Sequence, residues 1–270
     1  MHFETLHVAI AAGVVTVELN RPDKANALNH AMWQDIRSVF RWVDETAAAR
    51  VAVISGRGTH FTSGIDLSML GGLATRNPQE CAGRTRESLR RQILDLQDTL
   101  TSIERCRKPV IAAIHGACIG GGIDLITCCD MRYADAQAYF SVKEIDMGMA
   151  ADVGTLQRLP KLVPDGIARE LTYTGRRFGA AEAKEIGLLN RVYESDESLR
   201  AGVAEIAATI AGKSPLAVRG SKEMILYSRD HSVADGLNYV ATWNAALLMS
   251  EDLKEAVDAA LEKRPARFLD

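Results

Sequence analysis

Apolar and polar residues alternate over His7–Ile10 and again over Val14–Leu19, with Ala11-Ala12-Gly13 between them, which predicts a β-hairpin. The period then lengthens. Met32/Trp33, Ile36, Val39/Phe40 and Val43 recur at helical spacing behind Asn29, a residue suited to cap a helix start. Trp33 and Trp42 fall at core spacing on this helix, so packing explains them. Val51–Ile54 reads as a short buried strand running into Gly56 and Gly58. A second helix carries Leu89, Ile93, Leu96, Leu100 and Ile103 on one face until Lys108-Pro109 ends it. Val110–Ile114 is the next strand, a strand, glycine loop and helix follow through 114–129, and strands are expected near 131–134 and 138–141. Beyond about residue 195 the pattern changes to helices near 197–212, 215–228, 232–249 and 251–262 with no clear strand between them. The expectation is an α/β core over 1–195 and a helical region over 196–270.

Composition narrows the function classes. At 270 residues and 47% hydrophobic, the chain has enough apolar material for a substantial core. A net charge of −3 offers no electrostatic reason to expect nucleic acid or an anionic membrane as partner. No stretch of about 18 uninterrupted apolar residues suggests a membrane span. The start lacks a signal-peptide pattern, and the final residues Arg267-Phe268-Leu269-Asp270 do not form a peroxisomal tripeptide, so a soluble cytoplasmic protein is expected. The five cysteines show no CxxC pair or metal-ligand spacing, and Cys118, Cys128 and Cys129 lie in apolar surroundings that suit buried free thiols. GxGxxG does not occur, which speaks against a dinucleotide site despite the many glycines.

The chemistry gathers around Gly120-Gly121-Gly122 and three acids that follow it, Asp124, Glu144 and Asp152. Glycines let a backbone approach a ligand closely, and a helix starting there aims free N–H groups at it. Carboxylates beside such a site suit proton transfer on a carbonyl compound whose oxygen takes up negative charge.

Three blocks resemble one known family. Asn20-Arg21-Pro22-Asp23-Lys24-Ala25-Asn26-Ala27-Leu28-Asn29, Phe61-Thr62-Ser63-Gly64-Ile65-Asp66-Leu67 and His115-Gly116-Ala117-Cys118-Ile119-Gly120-Gly121-Gly122-Ile123-Asp124-Leu125 are similar, in this order, to the signatures of the enoyl-CoA hydratase/isomerase (crotonase) superfamily. The resemblance implies a spiral of ββα repeats with C-terminal helices that assemble trimers or dimers of trimers. It implies an acyl-CoA thioester substrate, with coenzyme A as part of the substrate and no further cofactor or metal. It places the oxyanion hole at the backbone N–H groups of Ile65 and Gly121. It places substrate and CoA contacts at Lys24, Ala25, Ala27, Ser63, Gly64, Asp66, Leu67, Gly120 and Lys263, the last across a subunit boundary and with Arg264 beside it. Hydratases of the family usually carry glutamates at positions 124 and 144 and a small residue near 152. The trio here resembles instead the Δ3,5-Δ2,4-dienoyl-CoA isomerase branch, which implies catalysis by Asp124, Glu144 and Asp152 in fatty-acid degradation. An enoyl-CoA hydratase, another crotonase reaction, and a non-catalytic acyl-CoA- or RNA-binding homologue are the alternatives.

Several of these residues have plainer readings. Lys24 suits a solvated loop equally well, and Lys263 and Arg264 suit the end of the last helix. Asp152 is placed to cap a helix at 154–162. Asp66, Asp130, Asp135 and Asp146 read as caps or loop ties, His115 as a satisfied strand-end histidine, and His60 as a packing neighbour of Phe61 rather than a ligand contact.

Overall fold

A computed structural model describes residues 3–74 and 81–270. Strands β1 (Leu6–Ala11) and β2 (Val14–Leu19) form the hairpin, with Ala12 and Gly13 both left-handed at its turn. The large sheet runs β1-β2-β3-β4-β6-β9, with β3 at Val51–Gly56, β4 at Val110–Ile114, β6 at Met131–Asp135 and β9 at Arg191–Tyr193. Only its first pair is antiparallel. A small sheet runs β5-β7-β8, at Ala117–Ile119, Tyr139–Ser141 and Phe178–Gly179. Thr62 bridges in parallel to Cys118 at its edge. From β3 to β7 each turn of the chain thus lays one segment in the large sheet and the next in or beside the small one before a helix closes the turn. This is the spiral of ββα repeats.

The helices are α1 (His30–Glu45), α2 (Ser68–Ala74), α3 (Ala82–Arg105), α4 (Gly121–Thr127), α5 (Thr155–Arg158), α6 (Asp165–Thr174), α7 (Ala180–Glu185), α8 (Asp196–Ala211), α9 (Pro215–Ser228), α10 (Val233–Leu247) and α11 (Glu251–Glu262). The Asn29 side chain accepts the Met32 N–H at 3.0 Å and starts α1 as expected. Met32, Trp33, Ile36, Val39, Phe40 and Val43 are then buried along one face, each contributing about 1.5–3 kcal/mol on burial. Trp42 packs partly buried against the same core.

Both faces of the large sheet are covered. In β3, Ala52 and Ile54 enter the main core, while Val51 and Val53 point to a second core formed with Leu199, Val203 and Ala207 of α8. Ile111 and Ala113 of β4 follow the same alternation. Two-sided burial explains why these strands read as continuous apolar runs.

The sequence pattern missed the short pieces β5, β8 and β9 and the helices α2, α6 and α7; the three strands hold only two or three residues each, too few to show a period. It also overextended two faces. Leu100 and Ile103 of α3 are buried, but Leu89 and Ile93 lie where the helix overhangs the core and are only half covered. The helix expected at 154–162 is one α turn that passes into a 3-10 turn at Leu159–Lys161.

Candidate active site

Two loops that meet across the small sheet build the site. Leu28 N–H donates to Gly64 O at 2.8 Å, Asp66 N–H to Leu28 O at 3.0 Å and Ser63 N–H to Ala25 O at 2.9 Å. The segment 24–28 is therefore laced to 63–66, which brings Lys24, Ala25, Ala27, Ser63, Gly64, Asp66 and Leu67 into one region. Ala25 and Asn26 adopt left-handed backbone conformations there. Asn26 holds them by accepting the Arg21 N–H and donating to the carbonyls of Arg57 and His60. Arg21 pairs with Asp66 at 2.9 Å, and Asp66 also accepts from Ser68. These contacts hold the Asp66 carboxyl below the usual carboxylate range, led by Ser68 and then Arg21. Asp66 is a loop tie whose carboxylate already has partners. Neither Arg21 nor Asn26 stood out in the sequence except as part of its first block.

Opposite this lacing lies the glycine loop. Gly120 N–H donates to Ser141 O at 2.9 Å, continuing the β5–β7 pairing of Ile119 with Ser141. A Cβ on Gly64, at φ +90°, would meet Ile119 O at 2.6 Å and Gly121 N at 3.3 Å; one on Gly121 would lie 3.6 Å from Ile65 N. Only glycine allows this approach. Ile65 and Gly121 thus present their N–H groups on facing loops, and neither finds an acceptor among the described residues. Gly121 is the first residue of α4, where N–H groups have no intrahelical partner.

The acids approach from the other side. Gly120 stands within reach of Glu144: a Cβ there would sit 3.2 Å from Glu144 Oε1. Glu144 lies on the 3-10 turn Lys143–Met147 just past β7. Asp124, in the first turn of α4, is fully buried and accepts the Thr155 N–H through Oδ1 at 2.6 Å. Buried Asp124 Oδ2 and Glu144 Oε2 have no hydrogen-bond partner. Burial pushes Glu144 up to about 7, helped by the charge of the neighbouring Asp124. Burial likewise pushes Asp124 up to about 6, against the Thr155 N–H. Asp152 is half-buried and also raised by burial. It does not cap α5: Gly154 holds that position without a side-chain cap, and the Asp124 carboxylate takes the first N–H of the helix. Thr155 was not singled out by the sequence pattern, because its part is played by a backbone N–H.

Beside Glu144 opens an apolar cavity of about 330 Å³, lined among others by Val142, Ile145, Met149, Leu156, Ala168 and Thr172. Cavities of about 570 and 610 Å³ lie against the C-terminal helices, the second between them and the end of α3, and touch none of the three acids. Size does not mark the site; unpaired donors facing raised acids do.

Other residues fall outside it. Lys263 ends α11 in a left-handed conformation, and Arg264 pairs with Glu255 and Glu262; neither borders the cavity at Glu144. His60 Nδ1 accepts the Ala117 N–H, and His115 Nε2 bonds Gly58 O. Asp130 binds Val110 N–H and Lys222, Asp135 ties a turn, and Asp146 pairs with Lys143. Burial holds the Cys118, Cys128 and Cys129 thiols well above their ordinary value, which keeps them protonated. Among the described residues no helix is long and apolar enough to cross a membrane.

The profile of the family described as Enoyl-CoA hydratase/isomerase matches residues 9–270. The chain belongs to the enoyl-CoA hydratase/isomerase family. It is 51% identical over 251 residues to the peroxisomal Δ3,5-Δ2,4-dienoyl-CoA isomerase of Arabidopsis thaliana, covering 93% of this chain and 90% of the relative. It is 46% identical over 264 residues to the mitochondrial Δ3,5-Δ2,4-dienoyl-CoA isomerase of Homo sapiens, covering 97% and 80%. The enoyl-CoA hydratase of Bacillus anthracis has a similar structure, with a TM-score of 0.89, 33% identity and coverage of 98% of this chain and 99% of that one. The crotonase fold expected from the resemblance is the observed one.

The expected cytoplasmic location is corrected by these relatives, whose names place them in peroxisomes and mitochondria. A polar, mildly acidic surface suits any aqueous compartment equally. Composition therefore carried no information on this point.

Proposed function

We propose that this family member is an isomerase that converts a 3,5-dienoyl-CoA to a 2,4-dienoyl-CoA in fatty-acid degradation. The observation that carries the reading is a group of three burial-raised carboxyls, in which Glu144 borders Gly120 and Asp124 and Asp152 lie close enough to raise it, beside a loop pair with two unpartnered N–H groups. Relatives bearing this activity in their names, at 46–51% identity, support it.

The thioester oxygen sits between the N–H groups of Ile65 and Gly121, which stabilise the negative charge that develops there. Glu144 takes a proton from C2: that C–H bond breaks, a carboxyl O–H forms, and the electron pair spreads over the dienolate to C6. Asp152 supplies the proton at C6, and its raised pKa favours the protonated form this step needs. Solvent then returns the proton from Glu144 to Asp152. One carboxylate does not readily reach atoms four carbons apart, so two separate acids are needed. The Asp124 charge raises the Glu144 carboxyl and so sets when Glu144 becomes a base. Every step is a proton transfer, so the reading calls on no metal or redox group. Coenzyme A enters as part of the substrate, along the 24–28 and 63–67 segments.

Within the helical region 196–270, α8 covers the large sheet and α9–α11 supply assembly in this reading, as a trimer or a dimer of trimers. Ile225, Val233, Leu237, Met249 and Leu261 stand exposed on α9–α11 and beside them, which supports a partner surface.

Offering a 3,5-dienoyl and a 2-enoyl thioester side by side tests the function. Rapid formation of the 2,4-diene, with little hydration of the 2-enoyl compound, is expected. The reverse preference would replace this reading by the hydratase one.

A further inference from the structure

We infer that Gln97 is a positioning residue that holds Asp152 at the distal end of the acyl chain. The inference rests on the isomerase reading, in which Asp152 is the C6 acid. Gln97 Nε2 donates to the Asp152 backbone carbonyl at 2.6 Å, joining the middle of α3 to the acid loop. The bond belongs to a polar stripe. Gln97, Thr101 and Glu104 follow one another at helical spacing on α3, next to the face where Leu100 and Ile103 enter the core. Thr101 and Glu104 hold Arg158, with the guanidinium 2.9 Å from Glu104 and 3.3 Å from Thr101. Arg158 in turn lies against Gly154, where a Cβ would meet its Nη1 at 2.1 Å. Beyond Gly154 the loop ends at Thr155, whose N–H is fixed by Asp124 on α4. The four residues 152–155 are therefore held by α3 at one end and α4 at the other, with Arg158 against the middle. Gln97 sets only the Asp152 end, and its amide makes no hydrogen bond to Glu144 or to the oxyanion donors. Removing its amide loosens C6 protonation while C2 deprotonation continues.

The test is Gln97→Met, which keeps the length and loses the donor, with 3,5-dienoyl-CoA in heavy water. Isomerisation and deuterium uptake at C2 are followed together, and circular dichroism verifies the fold. Small misplacements of a reacting group cost about 10–100-fold in rate. A fall of about ten-fold in kcat for isomerisation is expected, with KM and the rate of C2 exchange within about two-fold of wild type. An equal fall in both rates, or no fall in either, would overturn the assignment. Wild-type protein that leaves the dienoyl thioester unchanged would instead remove the isomerase reading itself, a result visible before any variant is made.

Discussion

The two halves of the site are built on opposite principles. On the oxyanion side the working groups are backbone N–H groups of Ile65 and Gly121, placed by strand pairing and by glycines at positions where a Cβ would lie only 2.6–3.6 Å from the facing backbone. Side-chain identity hardly enters, and no charge is buried. On the acid side the working groups are side chains forced together: Asp124 has one carboxyl oxygen satisfied by Thr155 and one without a partner, and Glu144 carries a second such oxygen. Burial raises all three acids. The first half is held by backbone geometry, including the left-handed Ala25 and Asn26. The second stores an electrostatic conflict that the substrate's chemistry relieves, since each turnover moves a proton through it.

The sharpest way to break the comparison is to remove the two reacting acids separately. Glu144→Gln is expected to abolish both isomerisation and deuterium uptake at C2. Asp152→Asn is expected to retain slow C2 exchange in heavy water while losing the 2,4-dienoyl product, each loss being about 10²–10⁴-fold. Asp152→Asn with full isomerase activity would take Asp152 out of the mechanism.

Next in size is the oxyanion half. Gly121→Pro deletes one donor at the first position of α4, where a helix accepts proline. Turnover is expected to fall by at least about 10²–10³-fold with the circular dichroism spectrum retained. A folded variant turning over normally would refute the donor assignment.

The smallest effect sharpens the contrast in stability. Asp124 ionises near 3.8 when unfolded and at about 6 in the fold. The stability tied to its proton is thus fully present below about pH 4 and lost as pH rises through 6. Asp124→Asn keeps an oxygen for the Thr155 N–H and removes the buried charge. Its gain over wild type is expected to be near zero at pH 4 and to reach about 1–3 kcal/mol at pH 8 by thermal or urea unfolding. An equal effect at both pH values would show that the Asp124 charge is not under strain. No comparable pH dependence is expected from changes at Ile65.

The hairpin, α1, β3, β4 and the helices after 195 were legible in the sequence because each carries its own period, apolar run or cap over five residues or more. The glycine loop was legible because only glycine permits such close approach, so its constraint is written in residue type. The same holds for the order of the acids and for the likeness of the three blocks to the family. What tertiary structure alone decided lies between segments distant in the chain. Glu144 meets Gly120 only because β7 pairs with β5, and Asp124 reaches Thr155, 31 residues away, only because α4 and α5 pack together. Gln97 looked like any polar position on an amphipathic helix until the fold set the Asp152 carbonyl against it. The raised carboxyl pKa values have the same origin: an aspartate in a sequence has its solution value, and burial among like charges moves it. Local propensity and residue type are written one position at a time, whereas desolvation and contact depend on everything that closes around a group.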